Sequence, residues 1–422
     1  MPVPSWAALP LAEPLVALIA AALTAAWLIQ AALCVWFAQL VRRRRPVDLQ
    51  HGLASMPLPP AWPAAEVVLC LRGVDPVLEQ AFNALADQQY AGPWRLLVVV
   101  DSEHDPAWMV ASAAIARLEA RGRAGWSAAR LLALVEPACT GSRKSAALHQ
   151  AFGALDPATE LVALVDADAV VRPQWLSCLV QACLGTGVGA AGGNRWYLPE
   201  HNSGPGLVRA IWNGGALVLM TVLQIPWGGS LVIRRGLIES SGWRDLLRHS
   251  LCEDTALFSP LRRSGWSFRF VPALLAVDRD DGIRLRPLIR WLKRQLLMAR
   301  LHHPSWPLVL LHGLGTIALL LVAVAALGQL LLQGHWLGAA QLGTALLLYE
   351  LGCAGLLMAI QAAVAAAIPL ERLIPLWVWL RWLPLGQLVY GVAAMRAAWA
   401  RRVEWSGVDY RLLRHAVEVI RD

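Results

Sequence analysis

Residues 161–168 read Leu-Val-Ala-Leu-Val-Asp-Ala-Asp, five apolar residues opening into two aspartates one residue apart. Five apolar residues are too few for a helix and suit a strand buried on both faces. Carboxylates at i and i+2 just past such a strand set hard oxygens where a divalent cation, Mg2+ or Mn2+, can bridge them to a diphosphate. Such cations keep water and take one or two carboxylates beside phosphate oxygens. The plainer reading of Asp166-Ala167-Asp168 is a turn with an Asx cap.

Working upstream, Glu66–Leu71, Trp94–Val100 and Ala129–Val135 are three more short apolar runs, each ending in a polar loop. Between the first two, Leu78, Phe82 and Leu85 fall at helical spacing. This alternation predicts βα units and a mostly parallel sheet, whose chemistry gathers at the carboxyl ends of its strands. Those ends carry Arg72-Gly73-Val74-Asp75, Asp101-Ser102 and Asp166-Ala167-Asp168, while Thr140-Gly141-Ser142-Arg143-Lys144 precedes a helix over 145–155.

Downstream, Glu253-Asp254 opens a helical pattern over 255–263. Asp254 suits a general base that takes a proton from an acceptor hydroxyl. Acidic residues at a helix start are also favoured by the helix dipole, and that competes as the account of Glu253. Pro226-Trp227-Gly228-Gly229-Ser230 leads into a short strand. Its paired glycines allow close backbone approach to a ligand, or simply make a turn. Arg290-Trp291 lies on a basic helix (287–301), where arginine either clamps a leaving diphosphate or anchors the chain at a membrane surface.

Beyond this domain the chain turns apolar. Pro14 to Val41 holds no charge and is long enough to cross a bilayer. It lacks the small-residue cleavage site of a signal peptide and runs instead into Arg42-Arg43-Arg44-Arg45. Those arginines place that end in the cytoplasm. Further spans are expected at 307–334 and 336–370. The segment 373–399 carries Arg381 and Arg396, has Pro375 and Pro384 to break its helix, and is rich in tryptophan and tyrosine. It reads as a helix lying in the interface, with a fourth crossing as the alternative. Three crossings would return the tail 400–422, with Arg401, Arg402, Arg411 and Arg414, to the cytoplasmic side. Glu350 inside the third apolar run reads as the end of a shorter helix or as a functional group.

Composition agrees. Only 16 % of the 422 residues are charged, below the roughly 25 % of soluble domains. The net charge of +8 is nearly all arginine beside apolar runs, since Lys144 and Lys293 are the sole lysines. That pattern anchors a chain at an anionic membrane face, and with no nucleic-acid motif no nucleic-acid partner is expected. The seven cysteines (34, 70, 139, 178, 183, 252 and 353) form no CxxC pair or zinc spacing and suit a reducing compartment.

Taken in order, these residues resemble the inverting, membrane-bound glycosyltransferases of family 2, and most closely the ceramide glucosyltransferase-like branch. The elements are Arg72-Gly73 with Asp75-Pro76, Gln88-Gln89-Tyr90, Asp101, Lys144 and Asp166-Ala167-Asp168. Arg195-Trp196-Tyr197, Trp227-Gly228-Gly229-Ser230, Glu253-Asp254, Phe270-Val271-Pro272, Arg290-Trp291 and Arg294-Gln295 follow, and Trp405-Ser406-Gly407 with Tyr410-Arg411-Leu412 closes the series. The resemblance implies a GT-A fold: an α/β nucleotide-sugar-binding domain, cytoplasmic over 46–303, with flanking transmembrane helices. It implies donor-binding roles for Arg72, Asp101 (the uracil), Lys144, Asp166 and Asp168, with the metal on the last two, and makes Asp254 the base. The family's closing motif is Gln or Arg, two residues, then Arg-Trp. Here Pro287 stands four before Trp291 and Arg286 is one residue early, so the clamp falls to Arg290 or Arg294.

The function expected is transfer of a hexose, glucose foremost, from a UDP-sugar to a lipid hydroxyl in the membrane. Two alternatives stand: a polysaccharide synthase extending a glycan at the membrane, and a non-catalytic nucleotide-binding membrane protein.

Overall fold

A computed structural model describes residues 13–44, 61–122, 125–135, 140–202, 204–279, 282–413 and 416–421. Arg45, Pro46, the linker prolines Pro57, Pro59 and Pro60, Cys139, Arg414 and Asp422 lie outside the described residues.

The strands are β1 (Ala65–Leu71), β2 (Trp94–Val100), β3 (Trp126–Ala133), β4 (Leu161–Val165), β5 (Val188–Gly192), β6 (Arg195–Tyr197), β7 (Ser230–Arg234), β8 (Ser267–Phe270), β9 (Ala276–Asp278), β10 (Arg402–Trp405), β11 (Val408–Leu412) and β12 (Val417–Arg421). Seven form the central sheet in the order β3-β2-β1-β4-β7-β5-β8. β1 runs parallel to both β2 and β4, and β7 alone is antiparallel to its neighbours β4 and β5. The expected α/β fold of GT-A type, with a parallel-dominated sheet, is therefore present. The chain builds outward from β1 to β3 and then returns to β4 on the other side of β1. The crevice at such a reversal is where open α/β sheets take ligands.

β1, β2 and β4 are almost wholly buried, as their mainly apolar sequences require. Glu66 breaks that pattern and is fully buried, so its charge needs partners. It has them in Arg130 at 2.9 Å, Thr159 Oγ1 at 2.7 Å and the Asp156 amide at 3.0 Å.

Among the described residues four helices are long and apolar enough to cross a membrane: Glu13–Arg43, Pro205–Val222, Trp306–Leu332 and Trp336–Ala367. The first, third and fourth coincide in sequence with the apolar runs 14–41, 307–334 and 336–370. The helix Pro205–Val222 was not foreseen, being enclosed in the α/β sequence; it is mostly buried and packs against Leu376–Ala398 and Glu13–Arg43.

Two expectations are corrected. Pro375 and Pro384 do not break a helix: Pro375 precedes the first turn, and Pro384 sits inside the continuous helix Leu376–Ala398. Proline before a helix forfeits no needed N–H, and the helix containing the interior one packs against Pro205–Val222, Leu285–His302, Trp306–Leu332 and Trp336–Ala367. Glu350 ends no helix either; it lies in mid-course of Trp336–Ala367, beside Gln387. Both ends of Leu376–Ala398 are tied to the α/β domain or its adjoining helix. Arg372 donates to Pro199 O and Asn202, and Arg300 donates to Ala397 O and Ala400 O.

Candidate active site

The parallel register of β1, β2 and β4 brings Arg72, Asp101 and Asp166 to one edge, each the residue after its strand. Arg72 Nη1 reaches Asp101 at 2.8 Å, and Arg143 approaches the same carboxylate at 3.7 Å. Next in sequence to Arg143, Lys144 points to the other half of the site. Ser142 caps this helix (Arg143–Gly153) through the Ser145 amide, so Lys144 stands in its first turn.

Lys144 Nζ is held between Asp166 Oδ1 at 2.6 Å and Glu253 Oε1 at 2.7 Å. Burial alone would lower the ammonium's pKa, but the two carboxylates outweigh it and hold it well above the lysine value. Asp166 is half-buried, and although desolvation alone would raise its pKa, Lys144 and then Arg195 keep it below the ordinary value. Glu253 is pushed up, first by burial and then by Asp254 and Asp166 against the pull of Lys144.

The Glu253 carboxylate is thus no helix cap: it makes no capping hydrogen bond to the helix Asp254–Arg263 and is only 2 % exposed. Asp254 faces the neighbouring loop, its Oδ2 accepting the Gly228 amide at 3.0 Å. The paired glycines have a steric reason here. A Cβ at Gly228 would collide with the Glu253 carboxylate, and one at Gly229 with Trp227 and Asp166. Ser230 is not part of the site surface; its buried Oγ accepts from Trp175 Nε1 at 2.9 Å.

Asp166-Ala167-Asp168 does form a turn, closed by the Ala169 amide on Asp166 O. Among the described residues its carboxylates accept from the cations Lys144 and Arg195, not from the backbone of an Asx cap. Arg195 reaches Asp168 at 2.6 Å, Asp166 at 3.5 Å and Asp278 at 3.3 Å, and its guanidinium lies 4.8 Å from the Trp227 ring. β6 and β9 explain that convergence: Arg195 pairs with Ala276, and Asp278 lies two residues on, along the same face. Sequence reasoning gave neither Arg195 nor Asp278 a role. The available signal was the polar Arg195 closing an apolar, glycine-rich stretch.

The basic helix Leu285–His302 separates the remaining candidates. Arg290 is exposed. Trp291 packs edge-on against Tyr197 and Trp212, with centroids 5.7 and 5.4 Å apart. Arg294, one turn on, lies in the field of Tyr197, Arg195, Asp166 and Glu404; burial lowers its pKa, and its Nε has no hydrogen-bond partner among the described residues.

Whether these residues fit a divalent cation can be judged from their charges. Lys144 and Arg195 contribute +2 and Asp166, Asp168, Glu253 and Asp254 contribute −4, a net of −2. A diphosphate entering that field needs an accompanying cation. The described residues hold no group of three or more ligating side chains. Two carboxylates completed by phosphate and water fit a Mg2+ or Mn2+ ion, as opposed to an all-protein cage.

A parallel-dominated sheet with acids and cations converging at its switch point, beside helices long and apolar enough to cross a membrane, is an α/β domain arranged to take a charged ligand. The sequence profile of glycosyl transferase family 21 matches residues 16–417, and the chain belongs to that family. It is a glycosyltransferase. Among curated proteins no individual relative matches. Among solved structures the chain is similar to a mannosyltransferase, PcManGT from Pyrobaculum calidifontis, in complex with GDP-Man and Mn2+. The identity is 18 %, covering 91 % of this chain and 99 % of that one, with a TM-score of 0.47. It is also similar to glucosyl-3-phosphoglycerate synthase from Mycobacterium tuberculosis with Mn2+, UDP-Glc and phosphoglyceric acid. There the identity is 16 %, over 58 % of this chain and 78 % of that one, with a TM-score of 0.36.

Proposed function

We propose that this glycosyltransferase moves a hexose, glucose from UDP-glucose, to the hydroxyl of a membrane lipid with inversion at the sugar carbon. The sheet would face the cytoplasm, and its chemistry would be kin to that of the family 2 enzymes. The observation that carries the reading is the connection of the charged site to the apolar helices. From Arg195 the path runs through Tyr197 to Trp291 and on to Trp212 of the helix Pro205–Val222, in two ring contacts.

In this reading Arg72 and Asp101 take the nucleoside end, and Lys144, Arg195 and Arg294 surround the diphosphate. Asp166 and Asp168 would hold the Mg2+ or Mn2+ ion, which when bound neutralises charge on the departing nucleotide. Asp254, fixed by the Gly228 amide, takes the proton of the acceptor hydroxyl. Trp227, stacked beside Arg195, walls the sugar side. Glu13–Arg43, Trp306–Leu332 and Trp336–Ala367 would cross the bilayer, and Leu376–Ala398, tied to the domain at both ends, would lie in its cytoplasmic interface.

The test is incubation of the purified protein with Mn2+, a panel of UDP- and GDP-sugars and a total lipid extract, with products weighed by mass spectrometry. A hexose added to a lipid from the UDP donor is expected. Transfer only to a growing glycan, or from GDP donors alone, would overturn the proposal.

A further inference from the structure

The C-terminal sheet β10–β12 closes on the Lys144 turn. Gly141 N donates to Val417 O at 2.8 Å, Arg143 N donates to Tyr410 Oη at 3.2 Å, and Thr140 bridges Glu418. Val417 N in turn donates to His249 O at 3.1 Å, which ties the same strand to the segment leading into Glu253-Asp254. At its other side the sheet meets the basic helix Leu285–His302. Lys293 Nζ donates to Arg402 O at 2.9 Å, and the Arg294 guanidinium lies 5.3 Å from the Trp405 ring centroid. Tyr410, Val403, Val408 and Val417 are buried together with Leu251 and Leu292.

We infer that this sheet is a working part of the donor site, with Tyr410 and Trp405 as positioning residues. The inference rests on the donor reading above. Lys144 and Arg294 come from separate helices, and β10–β12 touches the start of one and the side of the other. The Arg143 amide is one of the first-turn N–H groups that a helix leaves without an internal partner. Tyr410 Oη accepts from it and thereby fixes how the first turn, and Lys144 with it, faces the diphosphate. Trp405 acts on Arg294 differently. A guanidinium lying over an aromatic face keeps its in-plane donors available for phosphate oxygens. The Arg294 Nε is itself buried and has no hydrogen-bond partner among the described residues, so it is the outer Nη groups that would reach a phosphate.

The experiment uses the full-length chain in lipid nanodiscs with three variants, Tyr410→Phe, Trp405→Leu and Trp405→Phe. UDP with Mn2+ is titrated against each. Transfer to lipid extract is measured at saturating UDP-glucose, and amide exchange is followed over residues 140–146. Tyr410→Phe and Trp405→Leu should weaken UDP by about two- to tenfold, the range of one net hydrogen bond or cation–π contact. Saturated turnover should stay near native, and Trp405→Phe, which keeps a ring, should recover most of the affinity. Exchange over 140–146 should quicken in Tyr410→Phe without nucleotide. Unchanged UDP affinity and exchange in Tyr410→Phe overturns the inference alone. A fall in saturated turnover equal to the loss of affinity, with faster exchange throughout the sheet, also overturns it, because that marks general loosening. A wild-type chain that binds no UDP overturns the donor reading and this inference with it.

Discussion

The Glu253 carboxylate, shut away from solvent, receives the Lys144 ammonium at 2.7 Å. A buried acid stripped of its cation is a severe defect, worth about 3–5 kcal/mol in comparable pairs. Lys144→Met should therefore destabilise the fold by about that amount. Adding Glu253→Gln in the same chain should restore much of the loss, because the stranded charge is then gone. Thermal unfolding of the single and double variants decides it; a double variant no more stable than Lys144→Met would show that Glu253 does not depend on the lysine.

The same pair sets an alkaline limit. Lys144 is held above its unfolded value of 10.5, so its contribution is full below that pH and is lost as the pH rises through the folded value. The wild-type melting temperature should fall above about pH 10.5 by a component that Lys144→Met lacks. Parallel alkaline profiles for the two chains would contradict this.

Chelation should abolish transfer. Asp168→Ala removes the more open of the two candidate metal ligands, 40 % exposed, and should leave the melting temperature near native while transfer collapses. Full activity in excess chelator returns Asp166-Ala167-Asp168 to the role of a turn.

One base and no second carboxylate assigned to a covalent intermediate predict a single displacement. An α-linked UDP-sugar should give a β-linked product. Asp254→Asn keeps the shape, removes the base, and should slow transfer by about 10²–10⁴-fold while UDP still binds. An α-linked glycolipid in the product spectrum would sink this mechanism.

Arg294 and Arg290 should part company. Arg294→Ala should weaken UDP by about tenfold or more, as loss of a charge-assisted hydrogen bond does. Arg290→Ala, on an exposed face, should change UDP affinity by less than about twofold. The reverse ranking in a titration would restore Arg290 as the clamp.

Membrane topology is testable by cysteine labelling. His335→Cys, in the turn between two spans, should react with an impermeant reagent from outside the cell, and Asp409→Cys in β11 only after lysis. Labelling of both from outside would remove the three-crossing arrangement.

The sheet could be read from the sequence because strands buried on both faces leave continuous apolar runs, and Arg72, Asp101 and Asp166 follow directly from strand ends. What sequence could not supply was direction. An acidic residue at a helix start looks the same whether it serves the dipole or, like Glu253, turns inward to a lysine more than a hundred residues away. Arg195 and Asp278 meet only because two three-residue strands pair, and strands that short carry no periodicity. Pro384 misled for a related reason. Its cost is local, whereas the packing that holds the helix intact comes from elements distant in sequence.

The hydrogen bond from Gly141 to Val417 also sets an order of events during synthesis. The ribosome makes the turn before Lys144 long before it makes the strand that braces it. Through most of translation the sheet can form and the apolar helices can enter the bilayer while the brace is still missing. Until β12 is made, the Gly141 amide lacks the Val417 carbonyl that it meets in the finished fold, so the turn that presents Lys144 is the part of the site braced latest in synthesis.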